Sequence, residues 1–248
     1  VCSSDLYMDV VAYTGNGGTQ TLSSLNFSPD LVWIKSRSVG YDHQLTDSVR
    51  GTGKELQSDL TSAETSYGLV SALNSNGFTV FTNGTYLASN ASGTTYVAWC
   101  WDKSATPGFD IVTYTGNGST QNISHSLGVA PKMMIVKDRT GANEWAVYHA
   151  NLTSAAYYLS LNQTIAQTSA AAWNSTAPTS SVFSVGGVAN VSPNNYVAYL
   201  WSEVAGFSKF GSYTGNGSSD GPFLYCGFRP AFVIIKSSSS GYDWFMFD

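Results

Sequence analysis

The chain has 248 residues, of which only 11% are charged and 14% are aromatic, and its formal net charge is -5 at pH 7. Because nucleic-acid binding needs clustered Lys and Arg, this balance argues against a nucleic-acid partner. No run of 18 apolar residues occurs, so the sequence offers no membrane-spanning helix. Polarity comes instead from Ser, Thr, Asn and 24 Gly, which favour turns and strand faces.

The first six residues, 1–6, read VCSSDL. This hexapeptide is the translation of a common sequencing-adapter end, and we interpret residues 1–6 as adapter read-through. The alternative is an ordinary N-terminal hexapeptide. The codons of the underlying DNA decide between the two interpretations.

A pentapeptide, Tyr-Thr-Gly-Asn-Gly, begins at Tyr13, Tyr114 and Tyr213, at spacings of 101 and 99 residues. An apolar run that ends in lysine follows each copy, and the lysines are Lys35, Lys137 and Lys236. Three matches at one period predict tandem repeats of about 100 residues. We assign 7–107 to the first repeat, 108–206 to the second and 207–248 to a third that we expect to be truncated.

Within each repeat the patterns predict short strands separated by turns. In the first repeat, strands are predicted at 10–13, 31–34, 77–81 and 96–101, where β-branched and aromatic residues cluster. The run at 31–34 is continuously apolar, so we expect both of its faces to be buried. Residues 54–73 fit either a short helix or an irregular loop, and 165–173 is their counterpart. The predicted fold is all-β, with tandem antiparallel β-sandwich repeats that are jelly-roll-like and contain little helix.

Most side chains that could carry chemistry are not repeated from one copy to the next. Cys100 and Cys226 align with leucines, and His43 aligns with tryptophans, so these side chains are predicted to pack. The recurrent lysines are predicted to pack their stems on aromatic rings and to protect sheet edges. The first repeat's carboxylates do not recur in the second. We therefore predict no catalytic residue, no cofactor and no metal ligand, and we predict that the chain is not an enzyme.

Aromatic residues that follow the apolar strand remain as surface candidates. Exposed Tyr and Trp rings can stack on sugars at a binding surface with a polar rim. The candidate glycan contacts are Tyr41, Trp145, Tyr242 and Trp244. The alternative is that these loop aromatics cover the ends of the sheets.

The strings that accompany the pentapeptide carry a family resemblance. Residues 27–37 read FSPDLVWIKSR, 47–51 read DSVRG and 96–99 read YVAW. Together they resemble an uncharacterised repeat domain of bacteriophage virion structural and tail-fibre-like proteins, notably those of marine phages. The second repeat departs at the DSVRG string, where residues 148–151 read YHAN. The resemblance implies a virion location and no enzymatic activity, and it transfers no catalytic residue.

Three hypotheses follow. The main one is a non-enzymatic structural protein of a phage particle, a tail or fibre component that contacts other virion proteins, self-associates as a homo-oligomer such as a trimer, and binds a host-surface glycan. The second is a secreted bacterial adhesin or carbohydrate-binding module at the cell surface. The third is a glycan-cleaving enzyme, which requires two carboxylates roughly 5–10 Å apart in an open groove.

Overall fold

The computed structural model describes residues 6–82 and 88–248. The predicted all-β fold with little helix is confirmed, because no α-helix occurs in these two ranges and the sheets are antiparallel. Of the hexapeptide that we interpret as adapter read-through, only Leu6 lies among the described residues. Below, the first segment is residues 7–107, the second segment is 108–206 and the third segment is 207–248.

The first segment is a sandwich of two antiparallel sheets. One sheet has the order β1-β7-β3-β4 and the other has the order β2-β6-β5. The strands are β1 Met8–Thr14, β2 Thr19–Leu22, β3 Leu31–Ser36, β4 Gln44–Asp47, β5 Val70–Asn74, β6 Gly77–Phe81 and β7 Thr95–Trp101. Of the uncertain stretch at 54–73, residues 54–69 form an irregular loop and the remaining residues belong to β5.

The second segment has a larger sheet of order β13-β12-β11-β10-β15-β8, together with the pair β14-β9. Its strands are β8 Phe109–Thr115, β9 Gln121–Ser124, β10 Met133–Asp138, β11 Ala146–His149, β12 Tyr157–Ser160, β13 Thr168–Ser169, β14 Val182–Val185 and β15 Asn195–Trp201. Two 3-10 turns, Ala171–Trp173 and Gly187–Ala189, flank β14. In the third segment, β16 Val233–Ile235 and β17 Phe245–Phe247 form a hairpin.

Matching sequence motifs take matching places in the two large sheets. Tyr13 of β1 lies opposite Tyr96 of β7, and Tyr114 of β8 lies opposite Tyr196 of β15. Each pair of rings is stacked, with centroids 5.1 Å and 5.0 Å apart. The pentapeptide tyrosine therefore anchors the same strand pair in both segments.

Both faces of the large sheets are buried, as the continuous apolar run at 31–34 predicts. Val32 faces the core inside the first segment, whereas Leu31 faces a second core that the segments share. This shared core also contains Ile135 and Tyr199 of the second segment, and Phe232 of the third segment packs against it. A strand covered on both faces has no solvent side, which removes the usual alternation of apolar and polar residues.

The cysteines divide between buried and partly exposed sites. Cys100 is fully buried in the core of the first segment, so its predicted packing role is confirmed. Cys226 is only partly buried, in the third segment, and the same prediction does not hold there. Neither cysteine forms a disulfide.

The pentapeptide turn is held by an asparagine from a distant loop. The backbone N–H of Asn16 donates to Oδ1 of Asn90 at 3.0 Å, and Nδ2 of Asn90 donates back to Oδ1 of Asn16 at 2.9 Å. Asn117 and Asn190 repeat this reciprocal pair, with both distances 3.0 Å. Since Asn90 and Asn190 are buried, these hydrogen bonds are protected from water and fix the shape of the turn.

The first glycine of the pentapeptide lies so close to a neighbouring backbone carbonyl that no side chain fits there. A Cβ on Gly116 would lie 2.3 Å from the carbonyl oxygen of Val191, so the backbone would have to move. We expect Gly116→Ala to lower the free energy of unfolding by about 1–3 kcal/mol. Gly53→Ala is the matched control, because no atom lies within 4 Å of its Cβ position. Urea unfolding of both variants tests this, and equal stabilities would contradict the close approach at Val191.

Candidate functional site

A buried ionic network joins the first and second segments. Arg50 lies in an ion pair with Asp47, Nε to Oδ2, at 2.5 Å, and in another with Glu64, NH1 to Oε2, at 3.1 Å. From the second segment, the hydroxyl of Tyr199 donates to Asp47 at 2.7 Å, and Arg139 donates to both oxygens of Glu64 at 2.8 and 2.9 Å. The side chains of Arg50 and Asp47 are 0% exposed. The centre of the network is closed to solvent, and its charges pair with one another across the contact between the two segments.

Electrostatics within this network favour the ionised form of Glu64. Partial burial alone would raise the pKa of this carboxyl, but hydrogen bonds from Arg139 and the charge of Arg50 outweigh it, and the pKa is lowered. An ionised Glu64 can therefore hold the two arginines together across the contact between segments.

Two of the recurrent lysines donate hydrogen bonds to the preceding segment. Nζ of Lys137 donates to the carbonyl oxygen of Thr61 at 3.1 Å, and Nζ of Lys236 donates to that of Thr164, also at 3.1 Å. Lys137 lies 6.0 Å from the ring centroid of Trp145, which confirms packing on an aromatic ring for this residue. The predicted edge protection is wrong for Lys137, because β10 has strands on both sides and its lysine contacts a loop of another segment.

The tryptophans that follow these lysines make the same kind of contact. Nε1 of Trp145 donates to the carbonyl oxygens of Gln57 and Leu60, both at 3.0 Å. Nε1 of Trp244 donates to the carbonyl oxygen of Ser160 at 2.9 Å. In each case the indole binds backbone of the preceding segment.

A cavity of about 270 Å³ opens where residues of all three segments meet. Its lining includes Trp33, Lys35, His43 and Trp99 of the first segment and Trp244 of the third. Nε1 of Trp33 donates to Nδ1 of His43 at 2.8 Å, and the His43 ring stacks on Trp99 with centroids 6.4 Å apart. The predicted aromatic packing of His43 is thus confirmed. Burial, and then the charge of Lys35, lower the pKa of His43 to about 4, so the ring is neutral at pH 7.

Two carboxyl groups lie beside this cavity. Oδ1 of Asp59, which lines the cavity, accepts a hydrogen bond from the backbone N–H of His43 at 3.0 Å, and Asp42 accepts one from Gln57 at 3.3 Å. Burial raises the pKa of Asp42, and the charge of Asp59 raises it further. Burial likewise raises the pKa of Asp59.

The four candidate glycan contacts occupy different environments. Tyr242 is 64% exposed and is available to a ligand. Tyr41 and Trp244 are partly buried, and Trp244 lines the cavity. Trp145 is 0% exposed, so its ring offers no surface on which a sugar could stack. The structure does not bring the four rings together into one platform.

Within 6–82 and 88–248, no group of three or more His, Cys, Asp and Glu side chains could hold a metal ion. Among the residues described, no helix has the length and apolar character needed to cross a membrane.

Comparison with known proteins identifies the family. A family model described as "Domain of unknown function (DUF7483)" matches residues 3–248. The chain belongs to the DUF7483 family. The DUF7483 match spans all three segments and includes residues 3–6 of the hexapeptide interpreted as adapter read-through. No curated protein matches the chain.

The buried Glu55 and the partly buried His43 give the protein opposing pH dependences. Burial raises the pKa of Glu55, which lies against the Gln44 carboxamide, to about 7. The folded state therefore holds a proton that the unfolded state releases, and stability falls as pH rises from 4.5 to 7. The lowered pKa of His43 does the reverse, because the unfolded chain binds the extra proton and stability falls as pH drops from 6.5 to 4.

Single variants separate these two effects. We expect Glu55→Gln to gain stability relative to the parent as pH rises from 4.5 to 7, by roughly 3 kcal/mol over the window. His43→Gln should instead gain relative to the parent as pH falls from 6.5 to 4. Urea unfolding at half-unit pH intervals measures both slopes. Parallel curves for parent and Glu55→Gln would contradict the raised pKa.

Proposed function

We propose that this chain is a non-enzymatic structural module of a bacteriophage particle, a tail or fibre component built from tandem β-sandwich repeats of about 100 residues. Three observations support the repeat organisation: the pentapeptide period, the matching strand registers and the matching lysine and tryptophan contacts. In the first repeat β1 pairs with β7 and β2 pairs with β6, a nested pairing that supports a jelly-roll-like fold.

The shared core carries the structural role. The large sheets of the first two segments face each other across the shared core, where Trp33, Trp99, Ile135 and Tyr199 are buried together. The hairpin of the third segment packs against this core. A large apolar contact between units suppresses their relative motion. Segments that are packed in this way behave as one rigid body, whereas segments joined only by linkers would move independently. Rigidity is a property expected of a tail or fibre component. The resemblance to tail-fibre-like proteins agrees with this proposal.

Gene context tests the virion assignment. Sequencing of the gene with its neighbours should place it among capsid and tail genes, and antibodies raised against the purified chain should label phage particles. Other virion proteins, and further copies of the chain in a homo-oligomer such as a trimer, are the proposed partners. A sorting or secretion signal with no phage genes nearby would instead support the adhesin or carbohydrate-binding alternative.

Binding of a host-surface glycan is a second proposed function. The exposed ring of Tyr242 supports it, as do the indoles, Lys35 and Asp59 at the cavity. We expect a glycan array to lose signal with Tyr242→Ala or Tyr41→Ala. Tyr225→Ala is the matched control, since this tyrosine is also highly exposed but belongs to no candidate surface. Unchanged binding in both test variants would show that Tyr41 and Tyr242 do not contact the glycan.

A further inference from the structure

The contact between the first and second segments recurs between the second and third. Besides the lysine and tryptophan contacts, the backbone N–H of Glu64 donates to the carbonyl oxygen of Arg139 at 2.9 Å. The backbone N–H of Gln167 donates to that of Ser238, also at 2.9 Å. In both places a loop, residues 57–64 or 160–167, is held by the strand end of the following segment.

The first segment has an equivalent strand end, which carries Lys35. Among the described residues, no loop equivalent to 57–64 or 160–167 binds to it. Lys35 is the counterpart of Lys137 and Lys236, and its Nζ donates to the carbonyl oxygen of Tyr41 in its own segment. His43 is the counterpart of Trp145. Both Lys35 and His43 line the cavity.

An unpaired polar group points to an occupant of this cavity. Trp99 is 4% exposed and lines the cavity, and its Nε1 has no hydrogen-bond partner within 6–82 and 88–248. Its counterpart in the second segment, Tyr199, donates its hydroxyl to Asp47 of the preceding segment. A buried donor without an acceptor is costly, so the cavity is suited to a segment that brings acceptors.

The chemistry of His43 agrees with a carbonyl-bearing occupant. Because Nδ1 accepts from Trp33, the neutral ring carries its proton on Nε2. The ring can therefore donate one N–H, as the indoles of Trp145 and Trp244 do. Lys35 adds a cationic donor. Its counterparts Lys137 and Lys236 each donate to a carbonyl oxygen of a loop, and Lys35 could bind such a carbonyl in the same way.

From these contacts we infer that the cavity accepts a loop equivalent to residues 57–64 and 160–167 when the third segment is extended to the length of the other two repeats. Three repeats then close around the shared core through three equivalent interfaces, the third formed by Lys35 and His43. This inference rests on the proposed repeat organisation. The occupant is a polypeptide loop that offers backbone carbonyls, and a glycan in its place is the competing outcome.

A fusion protein tests the inference. Residues 150–206 are joined after Asp248, which aligns with His149, so that the third segment becomes a full repeat. We expect amine-reactive labelling of Lys35, followed by mass spectrometry, to fall about tenfold relative to the parent chain. We also expect Lys35→Ala to lower the urea midpoint of the fusion far more than that of the parent. Equal labelling and equal midpoint shifts in the two proteins would overturn the inference.

Two controls keep the outcomes distinct. A second fusion carries residues 48–107 in place of 150–206, and failure of both fusions to reach the parent's stability counts against the inference. Lys137→Ala in the parent tests the repeat organisation itself: if it does not shift the urea midpoint, the proposed equivalence fails. A glycan that binds the parent, is lost with Lys35→Ala and still binds the fusion would assign the cavity to a sugar.

Discussion

Arg50→Ala is expected to lower the free energy of unfolding by about 3–5 kcal/mol, because it leaves the buried Asp47 carboxylate without its cation. The guanidinium pairs with Asp47 and Glu64 and donates to Leu45 O at 2.9 Å and to the Tyr199 hydroxyl at 3.1 Å. The side chains of Arg50 and Asp47 are both 0% exposed, so bulk water does not reach the Asp47 carboxylate in the folded protein. Equilibrium unfolding in urea, followed by tryptophan fluorescence, measures the loss.

Conservative and peripheral variants show whether geometry or charge dominates in this network. Arg50→Lys keeps the charge but cannot reproduce the planar set of donors, so we expect it to recover less than half of the loss. Arg139→Ala removes a partner that is 21% exposed and should cost much less, because water can replace it at Glu64. Equal losses for Arg50→Ala and Arg139→Ala would show that burial does not control the cost.

The strands could be predicted because local composition decides them. The 96–101 run became β7, and the doubly buried run at 31–34 became part of β3, a central strand with both faces covered. Little helix could be predicted because Gly, Ser, Thr and Asn favour turns and extended chain. The loop at 54–73 stayed ambiguous, since its leucine spacing fits a helix while its tertiary contacts, such as the pairing of Leu56 with Leu45, select a bridge.

The interface between segments could not be predicted, because it depends on pairs far apart in sequence. Asp47 and Tyr199 are 152 positions apart, and nothing local to either residue indicates the other. The sequence does contain one indication of this network. Only 11% of the residues are charged, and the cluster of Asp47, Arg50 and Glu64 suggests that these side chains form ion pairs. The lysine period was visible in the sequence, but it does not say whether the ammonium group faces solvent or the neighbouring segment.

Trp145 illustrates the same limit at a candidate binding residue. It follows a strand and a polar loop, a position typical of a surface ring, yet the preceding segment covers it completely. Whether a loop aromatic is a ligand platform or an interface anchor depends on how the segments pack, and composition does not determine that packing.

Trp145→Ala is accordingly expected to lower the free energy of unfolding by about 3–5 kcal/mol. It removes a fully buried ring from the shared core together with its hydrogen bonds to Gln57 and Leu60. Trp145→Phe keeps much of the apolar volume but loses the N–H and part of the ring, so it should recover about half of the loss. Urea unfolding of the two variants provides the measurement.

Trp244→Ala is the matched comparison, because Trp244 makes the equivalent hydrogen bond to Ser160 but is only partly buried. We expect a smaller loss for Trp244→Ala, since part of its ring already contacts water. A loss at Trp145 no larger than that at Trp244 would contradict the anchor role. Because Trp145→Ala disturbs the whole interface, reduced glycan binding in that variant would reflect unfolding, and only variants that keep the parent's stability can identify a sugar contact.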